Sequence, residues 1–273
     1  MAGRVAESER ATSPSSSPID HESDRRAVAS TDLKWIVDDD PFDRAGQLLC
    51  QVVLECLESS ARVRLAIPGG SALGVLPGAR TRLGEAWQRV RLTWVDERCV
   101  PVADPESNRG AAAGMGLVAA GAWQGEAPGP AYVLPLYRDA ETPGEALARV
   151  TIGLQREFAN QLDVVLLGMG SDGHVASLFP SREMPNQGLV AHVADSPKPP
   201  ASRITLTRAA LATARRVILV AAGEAKRDAL RRLLAGDARL PAQGLRGLLV
   251  VTDLELELDE NQDLAGETVR KGG

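Results

Sequence analysis

Cysteine and histidine are scarce, three of each in 273 residues, and neither set falls into a metal-ligand spacing. Cys50, Cys56 and Cys99 are an odd number, so no disulfide framework is implied. Cys50 and Cys56 lie six positions apart on one expected helix, on different faces, as small buried hydrophobes. Cys99 has no histidine beside it in the chain, which removes the usual base for a thiol nucleophile. No apolar run is long enough to span a membrane, and the N-terminus lacks the hydrophobic core of a secretory signal. Glu7, Glu9, Asp20, Glu22 and Asp24 argue against a transit peptide, so a cytoplasmic location is expected. A net charge of −5 leaves no basic field for nucleic acid, although a small anion needs only a local positive pocket. The arginine-rich stretches 214–216 and 227–232 carry no stacking aromatics. Asp228, Ala229, Leu230, Leu233 and Leu234 mark the second as an amphipathic helix with a solvated face.

What is present falls into three parts. Residues 1–31 hold a Ser/Pro run at 13–18, many charges and almost no large apolar side chain, a composition that predicts disorder. Residues 259–273 are expected to be a flexible acidic tail. Between them, residues 32–258 alternate short apolar runs with longer amphipathic ones, as expected of one α/β domain with a mainly parallel, Rossmann-like doubly wound sheet and helices on both faces. Strands are expected at 34–37, 63–67, 90–95, 163–167, 216–221 and 247–251. Helices are expected at 42–57, 71–84, 144–160 and 224–235, the first with Ala45, Leu49, Val52, Val53 and Cys56 along one face.

Chemistry concentrates in residues 163–180, where Val164-Val165-Leu166-Leu167 runs into Gly168-Met169-Gly170-Ser171-Asp172-Gly173-His174. The glycines allow a tight turn and close approach of a ligand, so Asp172 and His174 are expected at the carboxyl end of a buried strand, the edge at which open α/β sheets bind ligands. Histidine alone has an ordinary pKa suited to proton exchange near neutrality. A second turn, Pro68-Gly69-Gly70-Ser71, follows another strand and offers backbone amides and a hydroxyl to an anion. Asp96-Glu97-Arg98 follows a third strand and leads to the turn-rich Asp104-Pro105-Glu106-Ser107-Asn108. Lys198-Pro199-Pro200, Arg203-Ile204-Thr205 and Lys226 add further cations. His192 sits in an alternating or loop-adjacent stretch and is expected to be structural. His21 belongs to the disordered head.

In content and order these blocks resemble the 6-phosphogluconolactonases of the glucosamine-6-phosphate isomerase/6-phosphogluconolactonase family, over about residues 33–253. The longest and most specific match is Asp-Gly-His-x-Ala-Ser-Leu-Phe-Pro, at residues 172–180. The resemblance implies hydrolysis of 6-phospho-D-glucono-1,5-lactone in the oxidative pentose phosphate pathway. It implies water activated by His174, an orienting Asp172, and no metal or other cofactor. It assigns substrate or phosphate contacts to Gly69, Gly70, Ser71, Asp96, Arg98, Gly170, Arg203 and Lys226. The expected partner is the small sugar-phosphate lactone alone, with no nucleic acid or membrane, on a monomer or small homo-oligomer. Ala72 departs from the family's usual threonine after the Gly-Gly-Ser turn, leaving one hydroxyl fewer for a phosphate. Two rivals stand beside this expectation. One is a non-catalytic sugar-phosphate sensor, against which the intact His174 argues. The other is an isomerising glucosamine-6-phosphate deaminase, whose Asn-Glu-Pro after the same turn is replaced here by Ser177-Leu178-Phe179-Pro180.

Overall fold

The computed structural model describes residues 33–118, 129–185 and 187–256, and the backbone of Thr268–Val269. The expected disordered head lies outside the described residues, as does all of the expected tail except that pair.

The order of elements is β1 (Lys34–Val37), α1 (Pro41–Ser59), β2 (Val63–Ile67), α2 (Val75–Leu83), β3 (Val90–Trp94), β4 (Asp96–Arg98), α3 (Asn108–Gly114), β5 (Tyr132–Leu134) and α4 (Pro143–Phe158). Then come β6 (Val164–Gly168), β7 (Val190–Val193), β8 (Arg203–Leu206), α5 (Arg208–Leu211), β9 (Arg216–Val220), α6 (Arg227–Leu234), β10 (Leu248–Thr252) and β11 (Thr268–Val269). Eight strands form one parallel sheet in the order β11-β1-β10-β9-β6-β2-β3-β5. Parallel strands buried on both faces need unbroken apolar runs, and Val164, Val165, Leu166 and Leu167 are each fully buried.

Local chemistry sets the helix boundaries. Asp40 caps α1 by accepting the Asp43 N–H at 3.0 Å, with Pro41 in the first turn. Thr142 and Glu145 form a reciprocal capping box at the start of α4, again followed by proline. The single helix expected over 71–84 is divided: Gly70–Gly74 is a 3-10 turn, and the α-helix begins only at Val75. Pro77 explains the division, because it has no N–H to return to Leu73 and fits an α-helix only in its first turn.

The connections explain where a ligand can bind. Steps β1 to β2, β2 to β3 and β3 to β5 all run one way across the sheet, while β5 to β6, β6 to β9 and β9 to β10 run back. Right-handed crossovers therefore put α1 and α2, which pack together, on one face, and α4 and α6 on the other. β2 and β6 are neighbours whose outgoing chains leave toward opposite faces, so a crevice opens at their carboxyl ends. A small antiparallel sheet, β4-β8-β7, stands beside that crevice and is joined to the main sheet through Val95, whose N–H donates to Ile67 and whose carbonyl accepts from Leu206.

Candidate active site

The crevice is a cleft of about 240 Å³. It is lined from β2 by Gly69, Gly70 and Ser71, from β6 by Gly170 and His174, from the small sheet by Asp96, Arg98 and Arg203, and from later loops by Lys198 and Lys226. Nine of the ten residues singled out in the sequence thus line one cavity, and the tenth, Asp172, is bonded to His174.

The turn after β6 is wound tightly. Gly170 donates its N–H to the His174 carbonyl at 2.8 Å, and Gly173 donates to Gly170 at 2.9 Å with φ of +88°. His174 Nδ1 then lies 2.5 Å from Asp172 Oδ1. The ring stacks on Phe179, centroids 4.7 Å apart, so the specific Ser-Leu-Phe extension forms a wall behind the imidazole. An ionised carboxylate can only accept, which puts the ring proton on Nδ1 and leaves the Nε2 lone pair as the base. Burial pushes the His174 pKa below its ordinary value, against the opposing bond and charge of Asp172 and with help from the Lys198 charge. Burial alone would raise Asp172, but the His174 bond and the charges of His174 and Lys198 outweigh it and hold the carboxyl down to about 2.

Cations dominate the cleft wall: Arg98, Lys198, Arg203 and Lys226 face one lining carboxylate, Asp96. The Arg98 guanidinium pairs with Glu106 rather than with Asp96 or Glu97: its Nη1 donates to the Glu106 carbonyl at 2.6 Å and lies 3.3 Å from the Glu106 carboxylate. Lys226 precedes α6, half-buried, and burial followed by the Lys198 charge lowers its pKa despite Asp172. Asp96, 6 % exposed, accepts from Ser177 Oγ at 2.6 Å and Asn108 Nδ2 at 3.3 Å, and stands 3.7 Å from Arg203 Nη1. Its carboxylate thus holds together three segments of the wall. Ala72 is buried, its methyl set against Gly168.

Three residues given no role in the sequence support the wall: Asn108, which lines it, and Glu97 and Ser177 behind it. Glu97 is buried and accepts the N–H groups of Arg98, Asn108 and Arg109 at 2.8, 2.8 and 2.7 Å, and the Ser107 hydroxyl at 3.3 Å. It thereby fixes the start of α3 and, with it, Asn108, whose side-chain oxygen lies against Gly69. Burial pushes Glu97 up to about 7 in spite of those amides. Ser177 ties the loop after β6 to Asp96 and accepts from Arg203 Nη1 at 3.4 Å. The one signal in the sequence for the start of α3 is Ser107, which caps it by accepting from the Gly110 N–H at 3.0 Å. Apart from the adjacent Arg98 N–H, these partners of Glu97 and Ser177 lie ten or more positions away. His192, in β7, lies with Nε2 2.9 Å from Ser202 Oγ and does not line the cleft.

Residues 38–251 match the family described as glucosamine-6-phosphate isomerases/6-phosphogluconolactonase. A 6-phosphogluconolactonase of Mycobacterium leprae is 33 % identical over 219 residues, covering 75 % of this chain and 86 % of that protein. One from Streptomyces coelicolor is 37 % identical over 189 residues, covering 66 % and 72 %. The crystal structure of a 6-phosphogluconolactonase from Thermotoga maritima superposes with a TM-score of 0.67 at 24 % identity, covering 81 % of this chain and 98 % of that one, a likeness of fold.

Proposed function

The chain belongs to the glucosamine-6-phosphate isomerase/6-phosphogluconolactonase family, and from that premise we propose that it hydrolyses 6-phospho-D-glucono-1,5-lactone to 6-phospho-D-gluconate, with His174 as the base. The observation that carries the proposal is the Asp172–His174 contact at 2.5 Å, which leaves Nε2 free to act beside a cleft lined mainly by cations.

Hydrolysis of a δ-lactone needs water made nucleophilic, stabilisation of the oxyanion, and a proton for the departing ring oxygen. His174 Nε2 takes a proton from water as the oxygen adds to the carbonyl. The ring becomes an imidazolium, which the Asp172 carboxylate stabilises through Nδ1–H. When the tetrahedral intermediate collapses, the C1–O5 bond breaks and Nε2–H returns the proton to the ring oxygen, leaving carboxylic acid and free hydroxyl. The phosphate sits toward Arg98 and Lys226, with the Gly69-Gly70-Ser71 turn contributing amides and a hydroxyl, so binding at the far end of the substrate fixes the carbonyl. Among the described residues no group of three or more histidine, cysteine, aspartate or glutamate side chains is placed to hold a metal ion. The reaction is assigned to the cytoplasm, on a monomer or small homo-oligomer; among the described residues no helix is long and apolar enough to cross a membrane.

The test is acid release from freshly generated 6-phosphogluconolactone against its spontaneous opening, with glucosamine 6-phosphate assayed in parallel. Acceleration with the lactone and no ammonia from the amine is expected. Tight 6-phosphogluconate binding without acceleration would make the protein a sensor, and ammonia release a deaminase.

A further inference from the structure

Lys198 Nζ lies 3.4 Å from Asp172 Oδ1 and 3.4 Å from His174 Nδ1. It reaches them from the loop between β7 and β8, far along the chain from the turn after β6. That loop is gripped from its buried side. Arg203, 3 % exposed, donates Nε to the Pro200 carbonyl at 2.9 Å and Nη2 to those of Lys198 and Pro199 at 2.9 and 3.0 Å. Ser196 Oγ donates to the same Lys198 carbonyl at 2.9 Å and accepts the Lys198 N–H at 3.3 Å. Arg203 is steadied in turn by Asp96 at 3.7 Å and by Ser177 Oγ at 3.4 Å. A buried guanidinium whose fork is turned onto three carbonyls is a rigid mount for the loop, with few N–H groups left for a phosphate.

We propose that Lys198 is a positioning residue for the Asp172–His174 pair, and that Arg203 serves the site by clamping the loop that presents it. The proposal deepens the lactonase assignment and rests on it for its catalytic meaning. The ammonium shares Asp172 Oδ1 with the imidazole N–H, so the carboxylate is restrained from two sides and holds the ring in one orientation. Its charge also opposes a proton on Nε2 between turnovers, which keeps the base ready. The charged groups facing His174 are Asp172 and Asp96, which favour the imidazolium, and Lys198, which opposes it. Lys226 acts on Lys198 and Asp172 across the cleft, and Arg232 of α6 donates to the Asp172 carbonyl at 3.3 Å.

The experiment follows the His174 imidazole by NMR as pH is varied in the ligand-free full chain, for wild type, Lys198→Met, Lys198→Arg and Arg203→Lys. The Lys198 side chain is 40 % exposed, so its variants should fold. Lys198→Met should raise the His174 midpoint by about one pH unit, and Lys198→Arg should bring it back toward wild type. The acid limb of kcat/KM should move with it. Arg203→Lys should shift the midpoint in the same direction, with little further change when combined with Lys198→Met. An unchanged midpoint in Lys198→Met, with only KM raised, would make Lys198 a plain phosphate ligand and overturn the proposal. A shift in Arg203→Lys without one in Lys198→Met would also overturn it. The NMR readout needs no turnover, so a protein that fails to hydrolyse the lactone would sink the functional assignment while the titration still decides the part played by Lys198.

Discussion

Gly170 shows how finely the reacting groups are set. A Cβ at that position would stand 2.0 Å from His174 Nδ1 and 2.4 Å from Asp172 Oδ1, so any side chain forces the pair apart. Gly170→Ala is expected to lower kcat by about 100-fold, the cost of roughly an ångström of misplacement, while the urea midpoint barely moves. An equal loss of folding stability would mean that the glycine serves the turn rather than the chemistry. The titration of His174 gives a second expectation. Lactone attack needs the unprotonated ring, and burial holds the His174 pKa below its ordinary value of 6.5. Activity should therefore fall only as pH drops beneath 6.5, with a plateau through neutrality. An acid limb centred above 6.5 would mean that Asp172 outweighs burial and that the ring is largely charged at rest. Asp172 and His174 were legible in the sequence because the chain itself puts them two residues apart on a glycine turn. The work of Asp96 and Arg203 was not, because each is defined by what it touches. Both were expected at the substrate and both line the cleft, but their bonds to other parts of the wall could not be read from the chain. Asp96 is engaged by Ser177 and Asn108, and Arg203 by the carbonyls of residues 198–200.

The elements divide in the same way. Six of the eight strands of the main sheet declared themselves because parallel strands buried on both faces read as short apolar runs, and β1 and β2 fall where those runs predict, whereas β5 and β11, three and two residues long, were not expected. The small sheet gave no such sign. β4 is three residues long and polar, and it becomes a strand only because β8 pairs with it from more than a hundred positions away. The start of α3 was hidden for a related reason: its first N–H groups are satisfied by Glu97 from the preceding strand as well as by the local Ser107 cap. Both carboxylate oxygens of Glu97 accept, so an amide at this position must turn its NH₂ toward donors. Glu97→Gln is expected to cost about 1–3 kcal/mol in urea unfolding at pH 8, above the pKa of about 7 for this group. Unchanged stability there would show that the native carboxyl is already protonated.

At the scale of the whole molecule, charge is distributed against the net sum. The chain carries −5 overall, yet the cleft is lined by four cations and one carboxylate. Net charge alone would repel an anionic substrate, and added salt would then help. A local cationic field attracts it, and salt screens that attraction over about 8–10 Å. The expected result is a fall in kcat/KM of several-fold, roughly, from 10 to 500 mM NaCl with kcat little changed; a rise would mean that the global charge prevails. The topology places this field at the switch point between β2 and β6, where the loops that carry Ser71 and His174 meet. The central claim is that His174, held by Asp172, is the base that opens the lactone. The most direct test compares His174→Ala with wild type in turnover of fresh 6-phosphogluconolactone and in affinity for 6-phosphogluconate. A loss of kcat by about 10²–10⁴ with affinity retained is the expected result. Turnover within a few-fold of wild type would contradict the assignment of the base.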